Sequence, residues 1–144
     1  WVKWRYIENL KMTKQEVKDE NKDTEGNPEI KGKIRKLQFQ AARRRMTAII
    51  PTADVVITNP THYAVALRYD RSKMAAPMVI AKGADEMALA IKELARENKI
   101  TLVENRFLAR ELYAQVAENQ EIPESLYSAV AEVLAYVYRL KGTM

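Results

Sequence analysis

No cysteine occurs among the 144 residues, which excludes disulfides and thiolate metal sites and fits a reducing compartment. Histidine is nearly absent too: His62 stands alone, which argues against a metal centre, and no cofactor is implied. No apolar run approaches the roughly 20 residues that a membrane helix needs, and nothing at Trp1 has the pattern of a cleaved signal sequence. The chain as given is therefore expected to be soluble, and its start without Met suggests a fragment. An excess of one charge is also lacking in strength: 24 basic against 19 acidic residues leave only +5. That raises anionic partners such as nucleic acid or lipid headgroups without favouring them.

What is present suffices for one domain with a real core plus an extension, since 47% of the residues are hydrophobic. The most informative stretch is DVVITNPTHYAVALRY at 54–69, two apolar runs rich in β-branched residues with Asn59-Pro60-Thr61-His62 between them. A β-turn joining two strands accounts for the pattern, because Asn favours the first turn position and Pro pre-sets φ at the second.

The same four residues also carry a chemistry. Asparagine ordinarily reacts through the backbone nitrogen of the next residue, but Pro60 has no N–H to offer. The reverse route stays open: the Asn59 side-chain nitrogen attacks its own backbone carbonyl, closes a succinimide and expels Pro60 as a free amine. Nucleophile and target share one residue, and well-oriented intramolecular reactions reach effective molarities of about 10⁵ to 10⁸ M. Turn strain of roughly 1–3 kcal/mol would add only about tenfold to a hundredfold. His62 could accept the amide proton or polarise the Asn59 carbonyl, and Thr61 could orient the turn. A competing route, attack by the Thr61 hydroxyl on the Pro60 carbonyl, would place the cut one residue later.

Along the chain, residues 1–10 mix aromatic and basic side chains as at a membrane interface, or form a short helix on their own domain. Thr13 and Glu16 fit a capping box opening a highly charged connector helix to about residue 23. Asn27 and Pro28 suit the N-cap and N1 of a second helix, in which Ile30, Ile34, Leu37 and Ala41 recur at helical spacing. Lys31, Lys33, Arg35, Lys36, Arg43, Arg44 and Arg45 concentrate on that helix. A solvated face explains them first, attraction to anionic lipid second, and nucleic acid last, because no recognised motif accompanies them.

Strands are expected at 54–58, 62–69, 77–82 and 100–103. In the second, Tyr63, Val65, Leu67 and Tyr69 alternate with smaller or polar residues, as on a sheet with one face more tightly packed. Gly83 reads as a break before a helix marked by Met87, Ile91, Leu94 and Ala95, and strand, helix, strand suggests a parallel crossover. Asn105 can cap the next helix, and Leu126, Val130, Val133, Leu134 and Val137 line the last. The fold class is α/β: a small mixed sheet of about four strands packed with about four helices, preceded by a helical linker.

With those motifs in place, the chain resembles the export-switch family of type III secretion. ADVVITNPTHYAVALRYD and MAAPMVIAKGADEMA carry the resemblance, which continues through LARELY and LYSAVAEVLAYVYRL. The stretch at 12–36 looks more like the flagellar (FlhB) branch than the injectisome branch. The resemblance implies a juxtamembrane helical linker over 1–26 and a self-cleaving cytoplasmic switch domain over 27–144, cut into 27–59 and 60–144. It implies that Asn59, Pro60, Thr61 and His62 carry the cleavage. A shallow apolar pocket at Ala76, Pro77, Ala131 and Leu134 would receive short hydrophobic signals of early, hook-type substrates; core packing is the plainer reading of those four.

The implied partners are other export-apparatus proteins, a hook-length control protein, exported flagellar subunits and the chain's own cleaved fragment. The implied place is the cytoplasmic face of the bacterial inner membrane, reached through a segment missing from this chain. Cleavage would consume Asn59, so turnover catalysis is not expected. Two other classes stand beside this one: a docking module whose turn stays intact, and a basic nucleic-acid-binding domain.

Overall fold

In the computed structural model, which describes residues 27–142, Asn27 begins a helix as its side chain suggests. Its Oδ1 accepts the Glu29 N–H at 2.9 Å, and Pro28 occupies the first helical position of α1 (Pro28–Ile49). The aromatic-basic stretch at 1–10 and the capping box at Thr13 lie outside the described residues. The described residues divide into two compact units, one ending at Gln40 and the other beginning at Ala41. In the first, Ile30, Ile34 and Leu37 keep their helical spacing but are exposed.

The second unit contains the sheet. After α1 and a 3-10 turn (Ile50–Thr52), β1 (Val55–Asn59) and β2 (Tyr63–Arg68) form a hairpin, followed by β3 (Met78–Ala84), α2 (Glu86–Glu97) and β4 (Thr101–Glu104). α3 (Arg106–Gln115), β5 (Gln120–Glu121), a second 3-10 turn (Glu124–Leu126) and α4 (Tyr127–Lys141) complete it. The strand order is β4-β1-β2-β3-β5, with β1 and β4 parallel and the other neighbours antiparallel. The sheet therefore has five strands. The fifth is two exposed residues paired with Met78 and Val79, too short to leave a hydrophobic pattern. β3, α2 and β4 do form a crossover between strands running the same way, but β1 and β2 lie between them.

Both faces of the sheet are covered. Val55, Ile57, Val65, Leu67 and Val79 pack under α3 and α4, through Leu108, Leu112, Val130 and Val137 among others. Val56, Ala64, Ala66, Ile80 and Ala81 pack under α2 and the end of α1, through Ile91, Leu94 and Met46. The alternation in β2 is thus one of large and small residues between two buried faces, not of buried and solvated ones. A register shift between Ala66 and Leu67 skips Ile80, so Ile80 and Ala81 join the same core.

Gly83 does not break β3. It is a buried member of the strand, and a Cβ there would lie 2.6 Å from Met87 Cγ and 2.9 Å from Met87 Cβ. Glycine is present because α2 closes directly onto the strand.

Candidate functional site

β1 and β2 bring the predicted turn to the end of the hairpin. Val55 to Ile57 are fully buried and pair with β2 on one side and β4 on the other, leaving Asn59 opposite Tyr63 as the last rung. Pro60, Thr61 and His62 form the turn, closed by the His62 N–H on the Asn59 carbonyl oxygen at 3.1 Å. That carbonyl is the one an Asn59 cyclisation would attack. A backbone N–H at this distance is suited to an oxygen that gains negative charge.

The turn is tethered to the rest of the unit. The His62 carbonyl accepts the Asp85 N–H at 2.9 Å, and the Thr58 carbonyl accepts the Asn105 N–H at 3.0 Å. Asn105 in turn caps α3 as its sequence position suggests, its Oδ1 accepting the Leu108 N–H at 3.1 Å. Asp85 holds φ of 52°, a left-handed conformation costly for a non-glycine residue, where β3 turns into α2.

Among the described residues no hydrogen bond engages the Asn59 carboxamide, so it is not committed to capping as Asn27 is. Thr61 and His62 are exposed. The His62 ring lies 6.1 Å from that of Tyr63, which stacks on Tyr113 at 4.5 Å. Here the histidine's contact with the Asn59 carbonyl is made by its backbone rather than by its imidazole.

One contact at the turn escapes sequence reasoning. Lys92, buried on α2, donates from Nζ to the Pro60 carbonyl oxygen at 2.5 Å. Its signal was available: a lone lysine four residues after Ala88, adjoining Ile91, on the helix face that enters the core. Beside it a cleft of about 380 Å³ opens between the turn and α2, lined by Pro60, Thr61, Asp85, Glu86, Ala88, Leu89 and Lys92.

The other four predicted positions come together elsewhere. Ala76, Pro77, Ala131 and Leu134 line a groove of about 280 Å³, with Ala76 and Leu134 buried and Ala131 exposed. Tyr69, Tyr127 and Tyr138 line it as well, together with Arg71, Ala75 and Ala135. Tyr127, Ala131, Leu134, Ala135 and Tyr138 recur at helical spacing on α4, and that stripe is the signal that marks the groove. Desolvation, with the Asp54 charge second, holds the Tyr138 phenol above the ordinary tyrosine range.

Among the described residues no group of His, Cys, Asp and Glu could hold a metal ion, and no helix is long and apolar enough to cross a membrane.

Comparison with known proteins gives this geometry a context. The chain is 52% identical over 141 residues to the flagellar biosynthetic protein FlhB of Bacillus subtilis, covering 98% of this chain and 39% of that protein. It is 57% identical over 136 residues to FlhB of Yersinia enterocolitica, covering 94% of this chain and 36% of that protein. It thus spans less than half the length of either relative. The crystal structure of the cytoplasmic domain of FlhB from Shewanella putrefaciens is similar with a TM-score of 0.65 and 50% identity, over 70% of this chain and 81% of that one. The model of the FlhB HrpN YscU SpaS family matches residues 1–137, and the chain belongs to that family.

Proposed function

We propose that this chain is the cytoplasmic switch region of a flagellar protein-export component, which cuts itself once between Asn59 and Pro60 and thereby helps change export from rod- and hook-type to filament-type substrates. The observation that carries the reading is the turn itself: a free carboxamide on Asn59, a proline that cannot compete through its nitrogen, and a His62 N–H on the carbonyl to be attacked.

The step balances within the chain. Asn59 Nδ2 forms a bond to the Asn59 carbonyl carbon, whose oxygen gains charge against the His62 N–H. The bond from that carbon to Pro60 N then breaks, and the proton lost from Nδ2 ends on the proline nitrogen. Water arriving through the cleft opens the succinimide and leaves a carboxylate on residue 59. His62 accelerates by relaying the proton through its exposed imidazole, and Thr61 orients the turn. Asn59 is consumed, so the chain is a single-turnover device and not a turnover enzyme.

The groove at Ala76, Pro77, Ala131 and Leu134 supports a second element of the reading, a docking place for short apolar segments of early substrates. Its partners are the export apparatus, the hook-length control protein and the exported subunits, with the membrane reached through a segment outside this chain. Cells carrying Asn59→Ala should build early structures and keep exporting hook-type subunits while filament-type export falls. Ala76→Gln should damage early export. Normal switching with an Asn59→Ala protein verified as uncut would leave the domain a docking module whose cut is incidental.

A further inference from the structure

We infer that Lys92 is a positioning residue for the cleavage, an inference that rests on the self-cutting reading given above. Thr58 and Lys92 are the buried polar or charged residues among those described. The ion pairs found there involve Arg43, Arg106 and Arg110. Lys92 instead spends its one hydrogen bond on the Pro60 carbonyl, 2.5 Å away.

For stability alone this is a poor use of a core position. A buried charge needs hydrogen bonds to be tolerated, and exchange of a buried charge for an apolar side chain of similar size is often neutral or stabilising. Pro60 is only partly buried, so its carbonyl could turn to water if Lys92 were absent.

For the reaction the contact is well placed. The pyrrolidine ring fixes φ of Pro60, and Lys92 fixes the carbonyl at the other end of the same residue. With the Asn59 carbonyl held by the His62 N–H and the His62 carbonyl by the Asp85 N–H, the amide to be broken is clamped on both sides. The plane of that amide, and so the face of the Asn59 carbonyl carbon that the carboxamide must approach, is then held fixed, and such orientation contributes strongly to an intramolecular attack. Lys92 touches neither the bond made nor the bond broken.

The test follows freshly translated full chains, chased after synthesis is stopped and separated in denaturant. Lys92→Met, similar in volume but without a donor, should cut at least about tenfold more slowly while melting no lower than wild type, and Lys92→Arg should recover most of the rate. A structural role predicts the opposite pairing, a lower melting point with an unchanged rate. If Lys92→Met does not fold, a semisynthetic chain with an ester in place of the Pro60–Thr61 amide weakens the acceptor and leaves Lys92 in place; it should also cut more slowly. A folded Lys92→Met chain, or that ester, cutting within twofold of wild type overturns the role of Lys92 alone. A wild-type chain that stays whole overturns the cleavage and Lys92 together.

Discussion

Asn59 and Asn27 precede proline alike, and what separates them is occupation. Asn27 gives its side-chain oxygen to the first turn of α1, whereas the Asn59 carboxamide is uncommitted beside a carbonyl already holding a backbone N–H. On the proposed mechanism His62 would act at two levels: its backbone stays in place whatever its side chain, and only the imidazole is lost on substitution. His62→Ala should therefore slow cutting without abolishing it, by no more than about 10²-fold, the lower end of general acid-base contributions. Rates of wild type and His62→Ala compared from about pH 5 to 8, the range in which a histidine acid–base role is tested, measure this. Identical profiles would remove the imidazole from the mechanism.

At the scale of elements, the approach of α2 to β3 sets the position of the turn. Gly83, Asp85 and Lys92 occupy one continuous strand-to-helix passage, and two of the three bond directly to the turn. Gly83→Ala would drive a methyl group into Met87, displacing α2. It should destabilise the unit by about 1–3 kcal/mol, as overpacking does, and slow cutting as well. Chemical denaturation and the chase measure the two effects; a stability loss with an unaltered rate would show that α2 does not position the turn.

The same passage shows where sequence was informative. The hairpin and both asparagine caps were legible because each rests on a local pattern. Gly83 looked like a break because a close approach from α2 leaves no mark in β3 itself. β5 was hidden because its two exposed residues pair through backbone alone. Lys92 does not stand out in the sequence because a lone lysine on a helix normally faces water, and only the folded chain places Pro60 opposite it. In the groove the aromatic lining is not legible in sequence because tyrosines from α4 and from the end of β2 meet only in three dimensions.

For the whole molecule, the consequence of cutting follows from where β1 lies. It is an inner strand, paired with β2 and β4, with Val55, Val56 and Ile57 fully buried. Losing the Asn59–Pro60 bond removes neither a ladder hydrogen bond nor a buried side chain. The cut chain should keep its fold and change only at the turn. A partner then distinguishes the two forms only through unequal affinity for that altered surface. Intact mass of the purified chain, recorded after native chromatography and again in denaturant, tests the cleavage directly. A single native peak should resolve in denaturant into two species meeting at Asn59 and Pro60, with Asn27–Pro28 unbroken, and Asn59→Ala should give one species throughout. A single full-length mass for wild type in denaturant, or a cut at any other bond, would contradict it.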